Sequence, residues 1–257
     1  MAVILHPEID QLLALLLAEM KKNLGDNLIG LYLYGSLVWG DFDDDISDID
    51  MLAATASTID DEEFDRLEHM HDDFARRHEN WRDRIEVQYF SLHGLRTFKT
   101  LSNPMANISP GEPFHMIQAD RMWLMNWYFV REYGLTLFGP PPQTLIDPIG
   151  RDEFLQAVQD HAAYWREHLT DTKDSSRGQS YVILTLCRAL YSHQHGQQTS
   201  KKRAALWATQ RFPDWADLIE NALIWRKAPP SSASSDTNFA ETEKFAHFML
   251  DQITGKR

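Results

Sequence analysis

Residues 7–24 carry a leucine-rich face at helical spacing behind Pro7, which suits a first helical turn, and predict an amphipathic helix that Gly25 and Asn27 break. Leu28–Tyr34 reads as a buried strand, closed by the turn pair Gly35-Ser36. From Ile46 to Ala53 the apolar Ile49 and Met51 alternate with Asp48 and Asp50, the two-residue period of a second strand. Helical spacing returns over Asp60–Glu79, with Phe64, Leu67, His71 and Phe74 on one stripe. Arg84–Leu92 predicts a third strand, in which Ile85, Val87 and Tyr89 alternate with Glu86, Gln88 and Phe90. Ser102–Pro113, rich in Pro, Gly and Asn, predicts a loop, and His115–Tyr133 a Trp-rich helix.

Gly139-Pro140-Pro141-Pro142 interrupts this order, and after a turn at Asp147-Pro148 every periodic segment is helical. The expected helices are 152–169, 180–194, 200–211, 214–226 and 238–254, with a flexible loop over Pro229–Asp236 before the last. No internal repeat is present. Strands interleaved with helices, then helices alone, predict an α+β chain: a sheet-bearing domain over 1–148 and an all-α domain over 149–257.

Composition narrows the class. The chain is 43% hydrophobic with 8 Trp and 13 Phe, too aromatic for a disordered protein. Leu12–Ala18 is far too short to span a bilayer, and no basic region followed by an apolar stretch and cleavage site marks a signal peptide. The single Cys187 cannot form an internal disulfide, which fits a reducing cytoplasm. A net charge of −13 leaves no basic stripe for a nucleic-acid backbone, Lys201-Lys202-Arg203 being too short, and favours cationic partners. No nucleic-acid or membrane partner is expected, and oligomeric state is not encoded in any feature.

Candidate chemistry gathers in Tyr34-Gly35-Ser36-Leu37-Val38-Trp39-Gly40 and Ser47-Asp48-Ile49-Asp50. Nucleotidyl transfer needs a phosphate cradle, metal-binding carboxylates and a base for the attacking hydroxyl. Gly35 lets backbone approach a phosphate, and Ser36 adds a hydroxyl. Asp48 and Asp50, two apart on a strand, project to one face while Ile49 points into the core. Side by side they repel unless a cation such as Mg²⁺ sits between them. Glu86, a charge in an otherwise apolar strand, either faces water or serves as metal ligand, general base or both. Asp41, Asp43, Asp44 and Asp45 read as a solvated loop, and Trp39 as a stacking or packing residue.

The pattern apolar-Gly-Ser, spacer, Asp-apolar-Asp resembles the signature of the polymerase-β-like nucleotidyltransferases, with Glu86 matching their third carboxylate. Over most of its length the chain resembles the aminoglycoside adenylyltransferases that modify streptomycin and spectinomycin. Leu33-Tyr34-Gly35-Ser36, Ser47-Asp48-Ile49-Asp50 and Glu86-Val87 carry the match, as do Val182–Tyr191, Gly196, Ser200-Lys201, Ala204–Ala208, Arg211 and Pro213. The resemblance implies a nucleotidyltransferase fold, a small mixed sheet with flanking helices, followed by a helical bundle, with the active site in the cleft between them. It implies Mg²⁺, ATP as co-substrate, and Arg188 and Lys201 reaching the triphosphate. The acceptor it suggests is a hydroxyl of a small, cationic molecule of the aminoglycoside or aminocyclitol kind.

The match departs where the acceptor would sit. The stretch Thr170–Ser180 lacks the family's Trp and offers Asp171 and Asp174 instead, and the loop Ser109–His115, with Glu112 and His115, differs too. Two other functions fit the motif: a nucleotidyltransferase that AMPylates a protein, against which the helical domain counts, and a non-catalytic nucleotide sensor, which has no need of all three carboxylates.

Overall fold

The structure, a computed structural model, describes residues 7–227 and 236–255. The chain divides into two compact units: one runs to Phe42 and resumes over Ser47–Pro148, and the other comprises Asp43–Ile46 and the chain from Ile149 onward.

The first unit contains α1 (Pro7–Leu24), β1 (Leu28–Tyr34), α2 (Ser36–Trp39), β2 (Ile49–Thr55), α3 (Asp61–Arg77), β3 (Ile85–Ser91), α4 (Leu92–Thr97), β4 (Asn103–Ile108), β5 (His115–Ala119), α5 (Leu124–Tyr133) and β6 (Leu135–Phe138). The strands form one mixed sheet in the order β5-β4-β3-β2-β1-β6. Among the described residues only β2 and β3 run parallel, and α3 supplies the crossover that a parallel pair requires. A capping box fixes the start of α3: Asp60 accepts from the Glu63 amide at 2.8 Å, and Glu63 accepts from the Asp60 amide at 3.2 Å.

The strand period divides the sheet's residues between two faces. On one face Ile49, Met51, Ile85, Val87 and Tyr89 pack with Leu13 and Leu16 of α1 and Leu67 and Phe74 of α3. On the other, Phe90 stacks on the fully buried Trp127 of α5 at 5.2 Å, and Trp123 continues the stack at 5.7 Å. Burial of side chains this large contributes on the order of 2–3 kcal/mol each. Asp50, Glu86, Gln88 and Tyr34 share this second face, so the polar residues of the motif emerge beside α5.

Several local expectations need correction. The loop expected over Ser102–Pro113 contains β4, and the helix expected from His115 begins at Leu124, because His115–Ala119 pairs with β4 as an edge strand. The polar residues that suggested a loop are satisfied inside the sheet: Asn103 donates to Thr97 Oγ1 at 3.1 Å, and Asn107 accepts from Gln88 at 3.2 Å. The short β6 pairs with β1 and was not expected. The second strand starts at Ile49, so Ser47 and Asp48 precede it rather than lie within it.

The second unit is helical: α6 (Arg151–His168), α7 (Ser176–His195), α8 (Lys201–Arg211), α9 (Ala216–Trp225) and α10 (Asp236–Thr254). α7 starts before residue 180 because Ser175 caps it, accepting from the Gly178 amide at 3.0 Å. It packs against the other four helices, and its Val182, Ile183, Leu186 and Leu190 are buried. Of the loop expected over Pro229–Asp236, residues up to 235 lie outside the described residues. Among the described residues, no helix is long and apolar enough to cross a membrane.

Candidate active site

Strand register assembles the site. Asp50 stands directly opposite Glu86 across β2 and β3, and opposite Tyr34 across β2 and β1. Asp48 lies two residues before Asp50. A carboxylate oxygen from each of Asp48, Asp50 and Glu86 falls within 4.8 Å of the other two, and all three side chains are half-buried. Among the described residues these three form the acidic group arranged to hold a metal ion.

Such a cluster is unfavourable without counter-charge. Burial first, and then the charge of Asp48, push the Glu86 carboxyl up to about 7, against hydrogen bonds from Gln88 and Ser109 that favour its ionised form. Hard carboxylate oxygens at this spacing suit Mg²⁺.

Gly35 has φ 75 and ψ −150, a conformation essentially confined to glycine. A Cβ there would stand 1.8 Å from Asp50 Oδ2. The sequence suggested that this glycine lets a phosphate approach; the structure gives it a further task, leaving room for a carboxylate of the acidic group. Next to it, Ser36 Oγ is buried with no hydrogen-bond partner among the described residues. A buried orphan hydroxyl is uncommon and suits a ligand oxygen.

Asp48 is braced from below. The Arg84 guanidinium forks onto the Ser47 carbonyl at 2.9 and 2.6 Å, and the Arg84 carbonyl accepts from the Ile49 amide at 2.8 Å. Glu86 has its own partner, because Gln88 Nε2 donates to Glu86 Oε1 at 2.9 Å. Neither Arg84 nor Gln88 was singled out in the sequence: each is a common strand residue whose partner is set by folding.

The remaining candidates are placed as follows. Trp39 packs on Tyr133 with ring centroids 4.7 Å apart. His115 Nδ1 lies 2.7 Å from the Pro113 carbonyl and its Nε2 3.7 Å from Glu112, a local turn contact. Asp171 and Asp174 are exposed. Arg188 and Lys201 belong to the helical unit: Arg188 lies on α7, and Lys201 opens α8 behind its cap Ser200, which accepts from the Arg203 amide at 3.1 Å. Lys201 Nζ sits 3.7 Å from the Tyr181 ring centroid. Both cations lie close enough to His161 of α6 to help its burial lower that imidazole to about 4. The helical unit therefore brings the two sequence-predicted cations into one neighbourhood, with His161 beside them.

Residues 144–252 match the family described as aminoglycoside adenylyltransferase, C-terminal domain. The chain resembles the aminoglycoside adenylyltransferases. An aminoglycoside (3'') (9) adenylyltransferase from Escherichia coli is 27% identical over 128 residues, 48% of this chain and 46% of the relative. One from Rhizobium radiobacter is 28% identical over 127 residues, 48% of this chain and 44% of the relative. The chain thus spans about half the length of the curated relatives it matches. Among solved structures, a spectinomycin adenyltransferase from Enterococcus faecialis, crystallised with ATP and spectinomycin, matches at a TM-score of 0.73 and 17% identity. That match covers 95% of this chain and 98% of the adenyltransferase, and shows that the two share a fold.

Proposed function

We propose that this chain is an adenylyltransferase that moves AMP from ATP to a hydroxyl of a small cationic acceptor of the aminoglycoside or aminocyclitol class. The observation that carries this reading is the convergence of Asp48, Asp50 and Glu86 within 4.8 Å, beside a glycine that has to lack a side chain and a buried serine hydroxyl with no hydrogen-bond partner among the described residues. The names of the similar proteins support the acceptor class, and the net charge of −13 favours a cationic one.

In the proposed reaction the acceptor oxygen attacks the α-phosphorus, the bond to the β-phosphate breaks, and pyrophosphate leaves. Glu86, its carboxyl pushed up by burial and the charge of Asp48, takes the hydroxyl proton. Asp48, Asp50 and Glu86 would hold Mg²⁺, which neutralises charge on the triphosphate when bound. Gly35 and Ser36 provide the phosphate turn, with the Ser36 hydroxyl as donor. Arg188 and Lys201 are proposed as the cations that meet the triphosphate, on the strength of their match to the family and their shared neighbourhood. Cys187, a lone thiol buried in α7, suits a cytoplasmic enzyme.

The test is pyrophosphate release from ATP and Mg²⁺ across spectinomycin, streptomycin and other aminocyclitols and aminoglycosides, with Asp50→Asn alongside. Release that depends on one of these acceptors and falls by orders of magnitude in Asp50→Asn is expected. No release with any acceptor, or near-normal turnover in Asp50→Asn, overturns the proposal.

A further inference from the structure

Glu86 is the end of a chain of buried polar groups. Gln88 lies two residues on, on the same face of β3, and is fully buried. Its Nε2 donates to Glu86 Oε1 at 2.9 Å and to Asn107 Oδ1 at 3.2 Å, while its Oε1 accepts from the Tyr34 hydroxyl at 2.7 Å. The Tyr34 hydroxyl in turn accepts from Asn126 Nδ2 of α5 at 3.3 Å.

The chemistry of these groups fixes the direction of the chain. Glu86 in the ionised form that acts as a base only accepts, so the Gln88 amine faces it, and Asn107 Oδ1 accepts from the same amine. Tyr34 receives a hydrogen bond from Asn126, so its single proton goes to Gln88. Both Gln88 donors and its carbonyl are then used, and the amide cannot turn over without breaking all three bonds.

Packing alone does not call for this arrangement. Tyr34, Gln88 and Asn107 are all buried, and apolar side chains of similar shape fill such space without desolvating polar groups. What the polar chain adds is a fixed position for the one carboxylate on its path. Tyr34 also directly precedes Gly35, so the phosphate turn and the base share an anchor that reaches across β2.

We propose that Gln88 is a positioning residue for Glu86, and that Tyr34 holds Gln88 in register; this rests on the adenylyl-transfer reading above. Gln88 orients the carboxylate that takes the acceptor's proton and touches neither ATP nor acceptor itself. Tyr34 acts on the reaction only through Gln88.

The experiment compares Gln88→Met, Tyr34→Phe and the double variant in steady-state pyrophosphate release with ATP, Mg²⁺ and spectinomycin or streptomycin. Melting temperatures and crystal structures of wild type and variants accompany the kinetics. Gln88→Met keeps the length of the side chain and removes the amide; Tyr34→Phe removes only a hydroxyl. The expected result for Gln88→Met is a fall in kcat of roughly 10–100-fold with KM for ATP little changed, the usual cost of losing an outer partner of an active group. Tyr34→Phe lowers the same constant by a smaller factor. The double variant is no worse than Gln88→Met, since the two side chains act in series. In crystals the Glu86 carboxylate holds one position in wild type and leaves it in Gln88→Met.

If Gln88→Met does not fold, Tyr34→Phe carries the test, and its undiminished kcat overturns the inference. An active wild type whose folded Gln88→Met variant keeps full kcat overturns the positioning role alone. A wild type that releases no pyrophosphate with either acceptor overturns the functional reading, and this inference with it.

Discussion

Replacing Gly35 with Ala tests whether the acidic group is built around an absent side chain. The native backbone, at φ 75 and ψ −150, lies where essentially only glycine is found, and holding Ala there costs on the order of 1–3 kcal/mol. The new Cβ meets Asp50 Oδ2 at 1.8 Å, and that separation has to open to at least the 3.4 Å of ordinary contact. Either the carboxylate or the strand end therefore moves by more than an ångström, and a misplacement of about 1 Å at a reacting centre lowers turnover roughly 100-fold. Gly25→Ala is the control, because Gly25 is also at positive φ, 52, with nothing within 4 Å, and lies outside the motif. It is expected to lose on the order of 1 kcal/mol and to keep its kcat. The assay is pyrophosphate release beside thermal unfolding, in which 1 kcal/mol moves Tm by roughly 2–4 °C for a chain of this size. Equal kcat losses in the two variants, or full kcat in Gly35→Ala, would refute the reasoning.

The acidic group predicts that Mg²⁺ alone raises Tm, by about 2.7 kcal/mol of stability at a hundredfold excess over Kd, and that Asp50→Asn abolishes the rise in a calorimetric titration. Arg84→Met removes the fork on the Ser47 carbonyl; a stability loss of about 1–3 kcal/mol and a lower kcat are expected by denaturant unfolding and turnover, and an unchanged kcat would mean that Asp48 needs no brace. His71 is buried against Tyr89, its Nε2 2.8 Å from that hydroxyl, and burial lowers it from 6.5 to about 3. The unfolded chain therefore binds a proton that the folded chain refuses, so stability complete above pH 6.5 declines toward pH 3 at roughly 1.4 kcal/mol per pH unit. His71→Gln should recover about 2 kcal/mol of that acid loss at pH 5, read from urea unfolding at pH 7 and pH 5; an unchanged pH dependence would show that His71 does not cause it.

The three carboxylates stood out in the sequence as candidates: one apolar residue separates Asp48 from Asp50, and Glu86 interrupts an apolar strand. That Asp50 faces Glu86 is a matter of register between strands, which no single segment carries. Gln88 and Tyr34 lie far apart in sequence, and their hydrogen bond exists only after β1, β2 and β3 align. The strands over Asn103–Ile108 and His115–Ala119 were hidden for a related reason. Asn103 and Asn107 suggested a solvated loop because the partners that satisfy them come from elsewhere in the fold. The helices after residue 149 were legible through periodicity; their bounds shifted by a few residues, most at the start of α7, which Ser175 caps.

The central claim is that Asp48, Asp50 and Glu86 form an adenylyl-transfer centre. It is tested most directly by mass spectrometry of spectinomycin and streptomycin incubated with the chain, ATP and Mg²⁺. The account predicts that one of them gains a single AMP, that equimolar pyrophosphate appears, and that Glu86→Gln and Asp50→Asn suppress both. Unmodified acceptors across the aminoglycoside and aminocyclitol panel, or an AMP adduct that Glu86→Gln forms at the wild-type rate, would contradict it.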